Sequence, residues 1–135
     1  MNNFYNDKVQ DHTFSILVEN EPGVLARVIG LLSGRGYNID TLTVAEVDEE
    51  EGLSKITIVS SGTPMVLEQI RAQLERLVPV RAVSDLTVDG PSVERELALV
   101  KVAGEGESRV ESLRIADIFR ARAVDSTNTS FVFEI

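Results

Sequence analysis

The feature that most constrains the fold of this chain is its switching between two hydrophobic periods. Apolar residues recur at every second position in Thr13–Glu19, TFSILVE, which predicts a strand. The period then lengthens to three or four residues, which predicts an amphipathic helix with an apolar stripe formed by Val24, Leu25, Val28, Leu31 and Leu32. A chain that switches period in this way is expected to form a sheet covered by helices.

The switching continues for about two thirds of the chain. Further strands are predicted at Tyr37–Val47, Leu53–Val59 and Val80–Leu86. The second helical stripe consists of Leu67, Ile70, Leu74 and Leu77. Thr63 and Pro64 supply an N-cap and a first-turn proline for this second helix, which we expect Pro79 to end. The order β-α-β-β-α-β predicts an α+β, ferredoxin-like domain over residues 11–88.

A second cycle follows a predicted linker at residues 89–96, which opens with Asp89-Gly90-Pro91-Ser92. Its predicted elements are a strand at 97–103, a helix at 108–120, and strands at 121–125 and 130–135. This β-α-β-β order repeats the first part of the preceding domain without its last helix and strand. We therefore predict a partial second domain of the same type at residues 97–135.

Composition excludes several classes of function. The chain of 135 residues is 43% hydrophobic but only 5% aromatic, so its core must be aliphatic. It has no cysteine, which excludes disulfides, thiol nucleophiles and cysteine-bound metals. A formal charge of −9 argues against nucleic-acid binding. No apolar run is long enough to span a bilayer, and the first residues, MNNFYNDKVQ, do not resemble a secretory signal. We expect a cytoplasmic protein.

Residues around the first predicted helix are suited to binding an α-amino acid. A helix N-terminus attracts a carboxylate, and Gly23 at its start would let a ligand approach the backbone closely. Asn20 before the helix and Asn38 after it offer amide donors and acceptors. Gly36 occupies the position at which a helix commonly ends in a left-handed residue. The same residues are common in turns without a ligand, so chemistry alone leaves both interpretations open.

Two other polar features are given no functional role. The acidic run at residues 46–51 lacks the ligand spacing of a calcium loop and is predicted to be a solvated hairpin tip. His12 precedes the first predicted strand without a paired carboxylate or a serine motif. We therefore predict neither catalytic nor metal-binding residues.

The first turn resembles that of the ACT domain, a βαββαβ module that senses small molecules and whose turn typically reads N-x-P-G-x-L. Asn20, Pro22, Gly23 and Leu25 have this spacing here. The run RVIGLLSGRGYNIDTLTVA, with LEQIRAQLERLVPV and VERELALVKV, resembles the regulatory (small) subunit of acetohydroxyacid synthase, also called acetolactate synthase. The resemblance covers nearly the whole chain from Thr13. Members of that family continue beyond the point at which this chain ends.

The resemblance implies regulation of a catalytic large subunit. Such subunits form homodimers, activate the large subunit and confer feedback inhibition by valine or another branched-chain amino acid. They have no cofactor of their own, whereas thiamine diphosphate, Mg and FAD are expected on the catalytic subunit. The effector is expected between two ACT domains. One protomer would supply Asn20, Glu21, Pro22, Gly23, Val24 and Leu25, and its partner would supply Asn38 and Ile39.

Two other functions remain open from the sequence. The chain could be a stand-alone amino-acid-sensing ACT protein that regulates a different enzyme. It could instead be a small ferredoxin-like enzyme, although the lack of cysteine and of paired catalytic carboxylates argues against this alternative.

Overall fold

The structure is a computed structural model that describes residues 8–135. The chain divides into two compact units, of which the first ends at Ser92 and the second comprises Val93–Ile135. This boundary falls within the predicted linker. No helix formed by residues 8–135 is long and apolar enough to cross a membrane. The expectation about a secretory signal concerns mainly residues 1–7, which lie outside the described residues.

The first unit contains four strands and two helices. They are β1 (Gln10–Glu19), α1 (Val24–Gly34), β2 (Thr41–Asp48), β3 (Leu53–Gly62), α2 (Pro64–Glu75) and β4 (Val80–Asp85). The strands form one antiparallel sheet in the order β2-β3-β1-β4. The predicted α+β, ferredoxin-like βαββαβ arrangement is therefore confirmed.

The core of the first unit lies between one face of this sheet and the two helices. The strands contribute Phe14, Ile16, Val18, Ile56 and Ile58. The helices contribute Val24, Val28, Leu32, Leu67, Ile70 and Leu74. Apart from Phe14 these residues are aliphatic, as the composition predicted for the whole chain. The prediction is wrong for the second unit, where the buried cluster consists of Ala116, Phe131 and Phe133. The alternation along β1 and β3 turns every second side chain toward the helices, so the same pattern that forms the strands also builds the core.

Helix α1 ends where Gly36 was expected to end it. The φ angle of Gly36 is 72°, its N–H donates to the Ser33 carbonyl at 3.1 Å, and the N–H of Tyr37 donates to the Leu32 carbonyl at 3.0 Å. These two bonds define a Schellman motif, in which Tyr37 also packs against the core. Because this motif uses the backbone of Tyr37, β2 begins only at Thr41 and not at Tyr37 as predicted.

Helix α2 begins as predicted and ends earlier. The Thr63 hydroxyl accepts a hydrogen bond from the Val66 N–H at 3.4 Å, and Pro64 is the first helical residue. The helix ends at Glu75, so the prediction that Pro79 ends it is wrong. The N–H of Leu77 bonds to the Leu74 carbonyl at 3.2 Å, which tightens the chain into a turn. Pro79 restricts the dihedrals of the preceding residue, Val78, which already lies beyond the end of the helix.

The second unit has the order β-α-β-β. Its elements are β5 (Leu99–Ala103), α3 (Glu107–Ile118), β6 (Arg122–Ser126) and β7 (Ser130–Glu134). The sheet order β5-β7-β6 repeats the order β1-β3-β2 of the first unit. Helix α3 also ends in a Schellman motif, because the N–H of Ala121 donates to the Ala116 carbonyl at 2.9 Å. Here the left-handed residue is Arg120, with φ 56°.

The position of His12 differs from the prediction. His12 lies within β1, and its Nδ1 is 2.7 Å from Oδ2 of Asp85 at the end of β4. The prediction that it has no paired carboxylate is therefore wrong. Because β1 and β4 are neighbours in the sheet, this contact joins two residues that are 73 positions apart.

Candidate functional site

A type II β-turn at Glu21–Val24 leads into α1. The N–H of Val24 donates to the Glu21 carbonyl at 3.3 Å, and Gly23 has φ 80° and ψ 2°. These dihedrals are those of the third residue of a type II turn, which requires positive φ, and Pro22 occupies the favoured second position. The EPG sequence therefore specifies the geometry with which the chain enters the helix.

The N-terminus of α1 has no side-chain cap among the described residues. Helix α2 differs, because the Thr63 hydroxyl caps it. A Cβ added at Gly23 would meet no atom within 4 Å, so the start of α1 faces open space. Glu21, Pro22 and Gly23 are exposed, whereas Val24 is buried and Leu25 is half-buried. This arrangement presents positively polarised N–H groups beside an apolar wall, which suits the carboxylate of an amino acid.

Asn20 is held beside this turn by the β2–β3 hairpin. Its main-chain N–H donates to the Gly52 carbonyl at 2.7 Å, and its side-chain Nδ2 lies 3.4 Å from Oε1 of Glu46. Glu46 and Gly52, which position Asn20 from the acidic hairpin, were not predicted as site residues. Only the register of the hairpin brings them there, and no local sequence signal indicates this contact.

Asn38 and Ile39 lie beyond the other end of α1. Asn38 is exposed and donates from Nδ2 to Oδ1 of Asp40 at 2.6 Å. The hydroxyl of the buried Ser60 donates to the Asn38 carbonyl, and Ile39 packs against the core. Asp40 and Ser60 therefore orient this segment. The position of Asp40, two residues after Asn38, could have indicated its contact, whereas Ser60 is brought in by β3.

The structure thus places the predicted site residues in two groups, one at each end of α1. The first comprises Asn20, Glu21, Pro22, Gly23, Val24 and Leu25, and the second comprises Asn38 and Ile39. A helix of 11 residues spans about 16 Å. One amino acid is far shorter than this distance, so both groups of the same protomer cannot contact it together.

The clear pKa shifts belong to ion pairs on helix surfaces. A hydrogen bond from Arg71 lowers the pKa of Glu68, and a hydrogen bond from Arg114 lowers the pKa of Glu111. The Glu68 carboxylate correspondingly raises the pKa of Arg71. Each pair joins residues three positions apart on one helix, so these shifts reflect helix stabilisation and not acid–base chemistry. Residues 8–135 contain no group of three histidine or acidic side chains placed to hold a metal.

Two family models match this chain. Residues 14–82 match the AHAS small subunit-like ACT domain. Residues 95–135 match the small subunit of acetolactate synthase.

Curated relatives extend the similarity across both units. The probable acetolactate synthase small subunit of Archaeoglobus fulgidus is 47% identical over 92% of this chain and 76% of its own length. The acetolactate synthase small subunit of Aquifex aeolicus is 46% identical over 95% of this chain, which spans 66% of that relative. The isozyme 3 small subunit of Escherichia coli is 48% identical over 90% of this chain and 73% of its own length.

Solved structures agree with the fold. The acetolactate synthase small subunit of Thermotoga maritima has a TM-score of 0.81 and 37% identity, and the match covers 93% of this chain and 78% of that one. The ACT domain of the GTP pyrophosphokinase of Chlorobium tepidum has a TM-score of 0.53 at 18% identity, over 65% of this chain and 93% of that domain. The second similarity concerns the fold alone.

Proposed function

Because this chain belongs to the acetolactate synthase small-subunit family, we propose that it activates the catalytic large subunit and makes it sensitive to feedback inhibition. The proposed effector is valine or another branched-chain amino acid. The chain itself performs no catalysis in this proposal. Thiamine diphosphate, Mg and FAD would belong to the large subunit, with which this subunit would act in the cytoplasm.

The observation that carries the proposal is the uncapped N-terminus of α1. The effector carboxylate would accept hydrogen bonds from the main-chain N–H groups of Leu25 and Ala26, which Gly23 leaves accessible, because the N–H of Val24 already donates to the Glu21 carbonyl. The Asn20 amide oxygen would accept a hydrogen bond from the effector ammonium group. The aliphatic side chain would then lie against Leu25, which suits a branched-chain amino acid better than a polar one.

A homodimer would complete the site. The two groups of site residues lie about 16 Å apart within a protomer, so Asn38 and Ile39 would come from the partner. A two-fold axis that brings the end of one α1 to the start of the other creates two equivalent sites. The edge strand β2 and helix α1 support such an interface, since Ile29, Val44 and Val47 are exposed there.

The test is complementation between two single variants, Asn20→Ala and Asn38→Ala. Each should bind valine about ten- to hundred-fold more weakly, because loss of a hydrogen bond to a charged group costs about 1.5–3 kcal/mol. A co-refolded one-to-one mixture should recover wild-type affinity at one of the two sites of each heterodimer. Calorimetry of each variant and of the mixture measures affinity and stoichiometry together.

Several outcomes would contradict the proposal. If the mixture stays defective despite confirmed chain exchange, the site is not shared between protomers. If the purified chain binds valine but neither co-purifies with the large subunit nor changes its turnover, the protein is a stand-alone sensor for another enzyme. Acetolactate formation from pyruvate by the chain alone would contradict its proposed regulatory role.

A further inference from the structure

Asp40 holds the side-chain amide of Asn38 in one orientation. Nδ2 of Asn38 donates to Oδ1 of Asp40 at 2.6 Å. An ionised carboxylate accepts hydrogen bonds and donates none, so it binds the amide nitrogen and turns the amide oxygen, Oδ1 of Asn38, the other way. Because Asn38 is exposed, this oxygen is the atom that its side chain offers to a ligand. An asparagine can present a donor or an acceptor, and here Asp40 selects the acceptor.

The segment that carries both residues is anchored to β3. The main-chain N–H of Asp40 donates to the Val59 carbonyl at 2.8 Å, and Oδ2 of Asp40 contacts the Ser61 hydroxyl. The Ser60 hydroxyl donates to the Asn38 carbonyl. Strand β3 lies between β2 and β1 in the sheet, so these contacts fix the segment to a paired strand. The orientation of the Asn38 amide is therefore set before any ligand binds.

Asn20, in the other half of the proposed effector site, has the same kind of neighbour. Its Nδ2 lies 3.4 Å from Oε1 of Glu46, which leaves its amide oxygen as the acceptor. Both halves of the site thus present an amide oxygen beside a carboxylate. Such a pair of oxygens suits an ammonium group, which brings a positive charge and only donors. It does not suit a carbonyl oxygen, which brings only lone pairs.

We propose that Asp40 is a positioning residue that makes the effector site selective for an α-amino acid over the 2-oxo acid with the same carbon skeleton. This inference rests on the proposed function, in which Asn38 of one protomer faces the effector held by Asn20 of the other. The two ligands share their carboxylate and their aliphatic side chain. They differ where the amide oxygens point, because the 2-oxo acid places a carbonyl oxygen at the position of the ammonium group. A site built for a donor rejects a ligand that lacks one.

The experiment compares L-valine with 3-methyl-2-oxobutanoate on the 135-residue chain and its variants. Calorimetry measures the affinity for valine, and competition with valine measures the affinity for the 2-oxo acid. Asp40→Ala removes the acceptor that fixes the Asn38 amide, so valine affinity should fall about two- to ten-fold, the cost of ordering one side chain on binding. Affinity for the 2-oxo acid should stay the same or rise, because the freed amide can donate to its oxygen. A purely structural role of Asp40 would weaken both ligands by the same factor.

Asp11→Ala is the matched control. Asp11 is exposed, and its Oδ1 lies 2.7 Å from the same Ser61 hydroxyl that Asp40 contacts, but its carboxylate makes no hydrogen bond to Asn38. The control therefore removes one negative charge from the same cluster and leaves the amide orientation intact. Both affinities should be unchanged within about two-fold. If Asp11→Ala changes the ratio of the two affinities as much as Asp40→Ala does, local charge sets the selectivity and the proposal is wrong.

A double variant, Asn38→Asp with Asp40→Asn, tests the requirement for an acceptor directly. It keeps the net charge and reverses the hydrogen bond, since the new amide at position 40 donates to the new carboxylate at position 38. An acceptor oxygen still faces the effector, so valine should bind at least as tightly as it does to the wild type. The 2-oxo acid should bind more weakly, because a carboxylate repels its oxygen more strongly. Loss of valine binding by this variant, with β2 and β3 still protected in hydrogen exchange, would contradict the proposal.

The outcomes separate this inference from the proposed function. A wild-type chain that binds no branched-chain amino acid overturns both, as does an Asn38→Ala variant that binds valine like the wild type. If Asn38→Ala weakens valine binding while Asp40→Ala leaves the ratio of the two affinities unchanged, the effector site stands. In that case the positioning role of Asp40 is wrong.

Discussion

The main-chain N–H of Tyr37 donates to the Leu32 carbonyl at 3.0 Å, and this bond fixes the direction in which the chain leaves α1. It forms because Gly36, between the two residues, adopts a φ of 72°. The chain reverses at this point and carries Asn38 beyond the end of the helix. The position of one half of the proposed effector site therefore depends on one glycine.

Replacement of Gly36 should destabilise the first unit. Gly36→Ala introduces a Cβ in the left-handed region, which costs about 1–2 kcal/mol. Gly34→Ala is the matched control, because Gly34 is the last residue of α1 and an added Cβ meets no atom within 4 Å. It should be neutral or stabilise by up to about 1 kcal/mol. Urea denaturation measures both changes, and equal effects of the two substitutions would contradict this explanation.

The corresponding position in the second unit should respond in the opposite direction. Arg120 has φ 56° without the freedom of glycine, so Arg120→Gly should relieve backbone strain. The entropy that glycine gains in the unfolded chain offsets part of this relief, so we expect a net gain in the free energy of unfolding of about 0.5–1 kcal/mol. Arg120→Ala keeps the Cβ and should give no gain. Chemical denaturation measures the stability of both variants, and hydrogen exchange shows whether α3 becomes better protected. Equal stability of the two variants would refute the role of strain.

Charge and strain can be separated at Gly23. Gly23→Ala and Gly23→Asp both place a Cβ at φ 80°, so each should cost about 1–2 kcal/mol of stability. The aspartate should recover part of this through the helix dipole, about 0.3–1 kcal/mol. Only the aspartate repels an effector carboxylate, and at 4 Å this repulsion costs about 1–4 kcal/mol. The Gly23→Asp variant should therefore bind valine at least several-fold more weakly than the Gly23→Ala variant does. Equal valine affinity in calorimetry would place the site elsewhere.

The Glu68–Arg71 pair should make a small contribution that depends on pH. The pKa of Glu68 is lowered in the folded chain from a reference value of 4.5, so its stabilisation is present above that value and is lost as the pH falls through the lowered pKa. Both side chains are partly exposed, so Glu68→Gln should cost about 0.5 kcal/mol or less at pH 7. The difference from wild type should vanish in strong acid. In an Arg71→Gln background, Glu68→Gln should have no such pH-dependent effect.

The local geometry of the first unit could be predicted from sequence because each rule involves only a few neighbouring residues. Pro22 and Gly23 specify the turn into α1, Gly36 specifies its end, and Thr63 caps α2. Alternating hydrophobic periods likewise indicated which faces become buried. The end of α2 was predicted less well, because a tight turn at Leu77 competed with continuation of the helix toward Pro79.

What only the tertiary structure decided are the contacts between residues that are distant in the chain. The pairing of His12 with Asp85 depends on the register of β1 against β4 across 73 positions, and the contact between Asn20 and Glu46 depends on where the hairpin ends. A helix was predicted at residues 108–120, but not which of its apolar residues stay exposed, such as Phe119. Burial depends on the elements that pack around a face, and the hydrophobic period of one helix carries no information about its neighbours.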